Sequence, residues 1–374
     1  MKQPIFAMER WQSHHENRVE FNLAESGVQP ITLAELQERA GIDPVDTLLG
    51  YGHTDGSPSL RQRIAAMYPG ARAANVVATV GSAEANFLAM WRLVEPGDRV
   101  VVVRPTYEQT TGLASGLGAH VESVWLEEDR GWQPAAGATS AAIQPGTRVV
   151  VVTNPNNPTA HPLAEAAIAE IVQAAERVGA WILSDEVYAG GELSGEPTPS
   201  LWGRTDRVLV SASLSKAYGL PGLRLGWLLA PPVFREELWA RKDYTTIAPS
   251  PLCDRLGAAA LEPAVRAGLL ERGRVILRDN LEVLEIWAAE HAGVLGFARP
   301  RAGAVAFFRY DLPTGSTELA ERLLAEQSVL IVPGDQFGVD HHFRIGYGYT
   351  DPPLAPGLER VSRLIGQLAT VRTG

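Results

Sequence analysis

A single lysine stands in the stretch SASLSKAYGLPGLRLGW, which runs from Ser211 to Trp227. Lys216 is flanked by hydroxyls, glycines and apolar residues, and Arg224 follows just before another apolar run. Most lysines are solvated surface groups, but these small, apolar neighbours argue against that interpretation. Because a desolvated ammonium group is costly, something must compensate it, and a lysine amine can react with the carbonyl of a cofactor. The stretch therefore points to a bound cofactor.

Polar or aromatic residues also follow several earlier runs of β-branched residues. Ser82, Ala83 and Glu84 begin a helix in GSAEANF. The hydroxyl of Ser82 and the backbone N–H groups of Ala83 and Glu84 suit a phosphate, although a plain helix cap explains the same pattern. Tyr107 in RPTYEQ is placed to stack on a flat ring, and an aromatic at such a position is also typical of a core.

Two further motifs carry groups that suit a heteroaromatic ring. Asn157 in NPNNPTA can donate to a ring acceptor, and a plain turn explains the prolines there but not the doubled asparagine. Asp185 in SDEVY follows a strand that should be buried, where an unpaired carboxylate is expensive. The Asp185 carboxylate could pair with a protonated ring nitrogen. Its alternative role is a helix cap or a salt bridge. Tyr188 lies close enough in sequence to reach the same ring.

The opening stretch supplies the remaining groups. Ser213, Ser215 and Arg224 can bind a phosphate, while the Lys216 amine reaches an aldehyde. Phosphate donors, an aromatic platform, a partner for a ring oxygen, a carboxylate for a ring nitrogen and an amine therefore occur at successive strand ends. Together they predict a site for pyridoxal 5′-phosphate, and the combination is far more specific than any single member.

The elements that must position these residues are strands alternating with helices between about residues 75 and 230. The pattern LAEAAIAEIVQAAERVG places Ile168, Ile171 and Ala175 on one helical face, and Gly179 is suited to end that helix. Near-continuous valine runs flanked by such helices predict a mostly parallel sheet covered on both faces, with ligands beyond the carboxyl ends of its strands. Seven runs predict seven strands: NVVATV, RVVVV, HVESVWL, TRVVVVT, AWILS, RVLVSA and LGWLLA.

The remainder of the chain predicts a second, smaller α+β domain. A helix-rich region at about 252–290 is followed by AVAFFRY, FRIGYG and a final helical pattern. We predict a large cofactor-binding domain at 50–285 with the seven-stranded sheet. The small domain is predicted to combine 286–374 with an N-terminal segment at 1–49.

Composition narrows the possible partners and surroundings. The formal net charge of −10 argues against nucleic acid, and 45% hydrophobic with 20% charged residues is typical of a globular chain. Cys253 is the single cysteine, which fits a reducing compartment. The N-terminus lacks a signal-peptide pattern, and no apolar run approaches the ~18 residues of a membrane helix. We expect a cytoplasmic protein with no membrane, metal or nucleic-acid partner.

The ordered motifs YGHTDGSPSLR, GSAEA, NPNNPT, SDEVY, SLSKAYGLPGLRLGW and FRIGYG resemble the class I/II aminotransferases, which are fold-type-I pyridoxal-phosphate enzymes. The resemblance covers most of the chain. It implies that Lys216 is the Schiff-base lysine and that Asp185 is the partner of the pyridine nitrogen. Tyr188 and Asn157 would bind the ring's phenolic oxygen, and Tyr107 would stack on the ring.

The same resemblance implies which residues bind the cofactor phosphate and the substrate carboxylate. It implies that the phosphate is held by Ser82, Ala83, Ser213 and Arg224. Tyr51 resembles a tyrosine that reaches the phosphate of the neighbouring subunit, which implies a homodimer. Arg344 resembles the arginine that binds the substrate α-carboxylate as a bidentate pair.

The resemblance implies an aminotransferase that moves an amino group between an L-amino acid and a 2-oxo acid by a ping-pong mechanism. The segments SGVQPITLAEL, LSKAYGLPGLRLGW, KDYTTIAPSPL and RAGAVAFFRY are similar to a capreomycidine synthase-like sub-branch of the family, which acts on arginine-derived substrates in peptide-antibiotic pathways. The intact SDEVY, the ordinary transaminase form, favours transamination. Ala160 replaces the usual glycine after NPT, which affects that turn rather than Asn157.

Two other functions stay open at this point. The first is a lyase or cyclase that runs elimination or replacement on an arginine-derived amino acid at the same site. The second is a non-catalytic sensor, which is disfavoured because the roughly fifty residues before Tyr51 are not basic and show no helix-turn-helix pattern. Arg104, His53 and Arg309 are candidates for contacting a substrate side chain, although solvation or ion pairing is the favoured explanation for each of them.

Overall fold

The computed structural model describes residues 2–371. Met1 and residues 372–374, at the two ends of the predicted small domain, lie outside the described residues. The helices are α1 (Ala7–His15), α2 (Leu33–Ala40), α3 (Pro58–Ala65), α4 (Gly81–Leu93), α5 (Gln109–Gly116), α6 (Ala138–Ala142), α7 (Glu165–Val178), α8 (Pro232–Lys242), α9 (Pro251–Ala260), α10 (Pro263–Glu290), α11 (Ser316–Gln327) and α12 (Leu354–Val371). The strands are β1 (Phe21–Asn22), β2 (Val76–Thr79), β3 (Arg99–Arg104), β4 (His120–Glu127), β5 (Gln133–Pro134), β6 (Thr147–Thr153), β7 (Trp181–Asp185), β8 (Val208–Ser213), β9 (Gly226–Leu229), β10 (Leu295–Phe297), β11 (Val305–Tyr310), β12 (Val329–Leu330), β13 (Val332–Pro333) and β14 (His342–Gly346).

The large sheet has the strand order β2-β9-β8-β7-β6-β3-β4-β5. Strand β9 runs antiparallel to both of its neighbours, β5 runs antiparallel to β4, and the other pairs are parallel. The sheet thus has eight strands rather than the predicted seven. The additional strand, β5, has two residues at the sheet edge, too few to form an alternating pattern in the sequence.

The valine runs form the middle of this sheet because both of its faces are covered. In β6, Val149 and Val151 belong to one buried apolar cluster, while Val150 and Val152 belong to another on the opposite face. Helix α7 covers one face and ends at Gly179, which adopts the left-handed conformation with φ 71°. The parallel arrangement brings the loops after β3, β6, β7 and β8 to one edge.

A second sheet has the order β10-β11-β14-β13 and is antiparallel throughout. The N-terminal segment contacts this part of the chain, because β1 pairs in parallel with β12 and the Trp11 indole donates to the Ile331 carbonyl at 2.8 Å. Helix α10 crosses position 285 without interruption, placing Leu269 in one core cluster and Leu281 in another. The division at 285/286 stays a prediction.

Between residues 2 and 371, the helices include none with the length and apolarity needed to cross a bilayer.

Candidate active site

A cavity of about 310 Å³ lies at the carboxyl ends of the parallel strands. Its walls come from the loops after β2, β3, β6, β7 and β8, from β14 and from the N-terminal segment around α1. The structure brings most of the predicted site residues together in this cavity: Ser82, Ala83, Tyr107, Asn157, Asp185, Tyr188, Ser215, Lys216, Arg224 and Arg344.

Lys216 projects into the cavity, where its Nζ donates a hydrogen bond to the hydroxyl of Ser26 at 2.8 Å. The chain contains three lysines, and the other two are Lys2 near the N-terminus and Lys242. The Nζ of Lys242 is bound to the Ile247 carbonyl at 2.9 Å and does not line the cavity. Lys216 is therefore the lysine placed to react with a carbonyl group bound here.

Asp185 ends β7 with its side chain buried against the cavity. Its carboxylate accepts hydrogen bonds from the Asn86 side-chain amide at 2.9 Å and from the Val187 backbone at 3.2 Å. Burial raises the pKa of Asp185, while these two donors and the charge of Lys216 act in the opposite direction. Asn86 is itself oriented by Ser211, whose hydroxyl donates to its side-chain oxygen at 2.6 Å.

The N-terminus of α4 presents backbone donors to the cavity through Ser82 and Ala83. The residue before the helix, Val80, provides no side-chain cap, so donors of the first turn are left for a ligand. The Arg224 guanidinium packs on this turn, because a Cβ added to Gly81 would lie 2.5 Å from its Nη2. A helix N-terminus beside a guanidinium is a suitable anion site.

Tyr107 and Asn157 also line the cavity, and each takes part in a side-chain hydrogen bond. The Tyr107 hydroxyl donates to the Glu9 carboxylate at 2.6 Å, and burial raises the pKa of that tyrosine well above its usual value. The side-chain oxygen of Asn157 accepts from Nη1 of Arg344 at 3.0 Å.

Arg344 lies on β14 and is only 1% exposed. One Nη donates to Asn157 and the other to the Ala24 carbonyl. Its Nε is buried and has no hydrogen-bond partner among the described residues. Burial lowers the pKa of Arg344, so the guanidinium gains from an anionic ligand. The arrangement leaves a donor available for a carboxylate in the cavity.

Several predicted residues lie outside the cavity. Ser213 accepts a hydrogen bond from the Ser215 backbone at 3.2 Å, and the Glu84 side chain turns back to the Val80 N–H. Tyr51 is 86% exposed and makes no contribution to the cavity of its own chain.

The three candidates for substrate side-chain contact are also outside. Arg104 is paired with Glu108 at 2.6 Å, Arg309 is paired with Glu128 at 3.2 Å, and His53 is exposed. None of the three lines the cavity.

Other cavity residues were missed by the sequence reasoning. Asn86, Ser26 and Gln109 have no local signal that links them to the site. Glu9 and Glu16 are different, because with Gln12 they follow the helical spacing i, i+3, i+7 and so face one direction. That spacing was the available signal for an acidic wall, which Glu25 completes.

The fold and the site define a fold-type-I pyridoxal-phosphate enzyme, and comparison with known proteins agrees. The family model for aminotransferase class I and II matches residues 22–361. The chain belongs to this family, which confirms the predicted family and fold class, and the family implies the pyridoxal phosphate cofactor.

Individual relatives are similar over nearly the whole chain. Capreomycidine synthase of Streptomyces vinaceus is 36% identical over 384 residues, covering 99% of this chain and 96% of the relative. The crystal structure of a PLP-dependent aminotransferase from Streptococcus suis superposes with a TM-score of 0.92 at 34% identity, covering 98% and 99% of the two chains. The crystal structure of the PLP-dependent cyclase OrfR superposes with a TM-score of 0.90 at 26% identity, covering 98% of each chain.

The residues in the cavity fit this cofactor. An amine, a buried carboxylate and an uncapped helix N-terminus with an adjacent guanidinium match the aldehyde, the ring nitrogen and the phosphate respectively. The donors that would hold the phosphate are the first turn of α4 and Arg224. Asp185 would hold the ring nitrogen, and Lys216 the aldehyde carbon. When bound, the cofactor supplies an electron sink for the bonds around the substrate Cα.

Proposed function

We propose that the protein is an aminotransferase for an L-amino acid that carries a positively charged side chain, with a 2-oxo acid as acceptor. The site residues named above carry the general chemistry of the family. The observation that carries the choice of substrate is the acidic wall, formed by Glu9, Glu16 and Glu25.

The acidic wall faces the same cavity as Lys216 and Arg344. The pKa of Glu16 is raised, first by burial and then by the negative charges of Glu25 and Glu9, so Glu16 is repelled electrostatically by the other two carboxylates. Among residues 2–371, none of the three has a basic side chain in ion-pair contact, and no cluster of three or more His, Cys, Asp or Glu side chains there is arranged to hold a metal ion. A guanidinium or ammonium group on the substrate would relieve this repulsion.

The chain's own residues have separate tasks in this proposal. Arg344 binds the substrate α-carboxylate, while the acidic wall binds the distal cation, so the substrate is held at both ends. Two-point binding fixes the direction of the Cα–H bond. The Nζ of Lys216 lies in the same cavity and would be the base that takes up the Cα proton. The Asp185 carboxylate would hold the ring nitrogen of the cofactor.

A cyclase or lyase reaction is the second candidate. It is favoured by the similarity to capreomycidine synthase over 99% of this chain and by the likeness to OrfR. The same residues would bind the substrate and move the Cα proton. The difference would be loss of a group from Cβ or Cγ, followed by addition of a nucleophile such as the substrate's own guanidine.

The proposed active unit is a homodimer. Leu48 and Leu49 are exposed beside Tyr51, which makes an apolar surface on the segment that precedes α3. We propose that a second copy covers this surface and that Tyr51 reaches the phosphate in the partner's cavity.

The test is a panel of L-arginine, L-ornithine, L-citrulline and L-norleucine, each incubated with the purified holoenzyme without added 2-oxo acid. The proposal predicts conversion of the cofactor absorbance to that of the aminated form with arginine and ornithine, and a mass-identified 2-oxo acid product. Citrulline matches arginine in size but is neutral, so its apparent KM should be higher by about tenfold or more. An added reaction with a β-hydroxylated arginine, whose Cβ hydroxyl can leave as water, tests the second candidate: a cyclised or unsaturated product from it would support that candidate instead. Equal reaction with norleucine contradicts the role of the acidic wall.

A further inference from the structure

Glu84 places a carboxylate in the first turn of α4, at the N-terminal end of the helix, where the cofactor phosphate is expected. Its Oε2 accepts the backbone N–H of Val80 at 2.6 Å. Val80 directly precedes Gly81, on which the Arg224 guanidinium packs. A free negative charge at this point competes with a phosphate for the positive end of the helix and for the arginine. The buried carboxylate therefore needs to be held and compensated.

A separate loop, residues 243–247, holds the other oxygen of Glu84. The hydroxyl of Thr246 donates to Oε1 at 2.7 Å, and the hydroxyl of Thr245 donates to the same atom. Capping of α4 uses only Oε2 and so explains one of the three hydrogen bonds. The two threonine hydroxyls disperse the charge on the oxygen that the cap leaves free.

Two features at the loop of residues 243–247 are energetically unfavourable: a buried ammonium group and a strained backbone conformation. Lys242 is buried, and its Nζ donates to the Ile247 carbonyl at 2.9 Å rather than to an acidic side chain. Burial lowers the pKa of Lys242, and the charge of Glu84 is the largest influence acting against that shift. Ile247 is β-branched yet has φ 64°, a left-handed conformation that such residues rarely adopt. Strained backbone conformations persist only where the surrounding structure holds them, and they cluster at functional sites.

We propose that Glu84 is a positioning residue for the cofactor phosphate and that Thr245 and Thr246 control it. Held by the loop, the carboxylate faces away from the phosphate, and the first turn of α4 keeps its donors for the ligand. Released from the loop, the same carboxylate repels the phosphate. The inference rests on the proposed placement of the phosphate at α4, and it is independent of the proposed substrate.

The test compares the affinities of the apoenzyme for pyridoxal 5′-phosphate and for pyridoxal, which lacks the phosphate. The variants are T245V/T246V, E84Q and the combination of all three substitutions, with T314V as a control because the buried Thr314 hydroxyl has no hydrogen-bond partner among the described residues. We expect T245V/T246V to lose about tenfold in affinity for the phosphorylated ligand and to keep its affinity for pyridoxal. Adding E84Q should restore most of the loss, since it removes the charge.

Recovery of pyridoxal 5′-phosphate affinity on adding E84Q to T245V/T246V distinguishes the proposed role from a merely structural one. If the residues acted only on folding, the affinity losses of the substitutions would add. The ³¹P chemical shift of the bound cofactor should move in T245V/T246V and return in the triple variant. If the double variant does not fold, T246V shows the partial loss and T246S retains wild-type binding. Unchanged affinity in T245V/T246V, an equal loss for pyridoxal, or additive losses on adding E84Q would overturn the inference. A wild-type protein that binds both ligands equally would instead contradict the phosphate site itself.

Discussion

The side-chain amide of Asn86 donates a hydrogen bond to the carboxylate of Asp185 at 2.9 Å, joining α4 to the end of β7. The bond links the helix proposed to hold the phosphate with the group proposed to hold the ring nitrogen. It also favours the ionised form of Asp185, whose pKa burial raises.

Replacing Asn86 by Leu removes a donor to the charged form of Asp185, so the pKa of Asp185 should rise further. Because the proposed reaction needs this carboxylate ionised, the acidic limb of the kcat/KM–pH profile should move to higher pH, with activity on that limb falling by about tenfold. S211A, which removes only the group that orients Asn86, should give a smaller shift in the same direction. A profile that scales down without moving would show that Asn86 does not act through Asp185.

Glu186, the next residue, is buried and has a pKa raised to about 7 by desolvation. The folded state thus binds a proton that the unfolded state releases at lower pH. The stability from this group is complete below about pH 4.5 and is lost as pH rises through about 7. E186Q keeps an oxygen for Ser184 and the Leu201 N–H, so it should remove up to about 3 kcal/mol of this pH dependence.

Urea unfolding at pH 5 and pH 8 measures that difference between E186Q and the wild type. The exposed Glu290 provides the control, since E290Q should leave the pH dependence of the unfolding free energy unchanged. If the unfolding free energy fell by the same amount between pH 5 and pH 8 in E186Q and in the wild type, Glu186 would not be the titrating group.

The site groups that belong to the large sheet are predictable from the sequence, whereas those contributed by other parts of the chain are not. Asp185, Asn157 and Lys216 follow the apolar runs AWILS, TRVVVVT and RVLVSA within a few residues, so their meeting at one edge was predictable. Ser26 reaches Lys216 across 190 residues of sequence, and Glu9 reaches Tyr107 across 98. Contacts of that range depend on how the N-terminal segment docks, which no local pattern encodes.

Arg344 lines the cavity, and in our proposal its guanidinium binds the substrate carboxylate; its Nε has no hydrogen-bond partner among the described residues. Because lysine cannot form the bidentate pair, R344K should raise KM for the preferred amino acid by about a hundredfold with a smaller effect on kcat. Discrimination between that amino acid and its carboxamide should largely disappear. Retained discrimination would place the carboxylate elsewhere.

The proposed homodimer predicts complementation between two inactive variants. K216A lacks the proposed amine, and a Y51A variant lacks the side chain proposed to enter the partner's cavity. In a mixed dimer one cavity carries both defects and the other carries neither, so mixing should restore measurable activity. Size-exclusion chromatography with light scattering gives the oligomeric state of each variant. No recovery on mixing of variants shown to exchange subunits would argue that Tyr51 acts within its own chain or not at all.

The central claim is that Lys216 holds the cofactor, and borohydride reduction of the holoenzyme tests it most directly. Reduction fixes the cofactor covalently to its lysine, and mass spectrometry of the digested protein then locates the modified residue among Lys2, Lys216 and Lys242. The predicted result is a phosphopyridoxyl group on the peptide that contains Lys216, with the other two lysines unmodified. Modification of Lys242 or Lys2 in place of Lys216 would contradict the account.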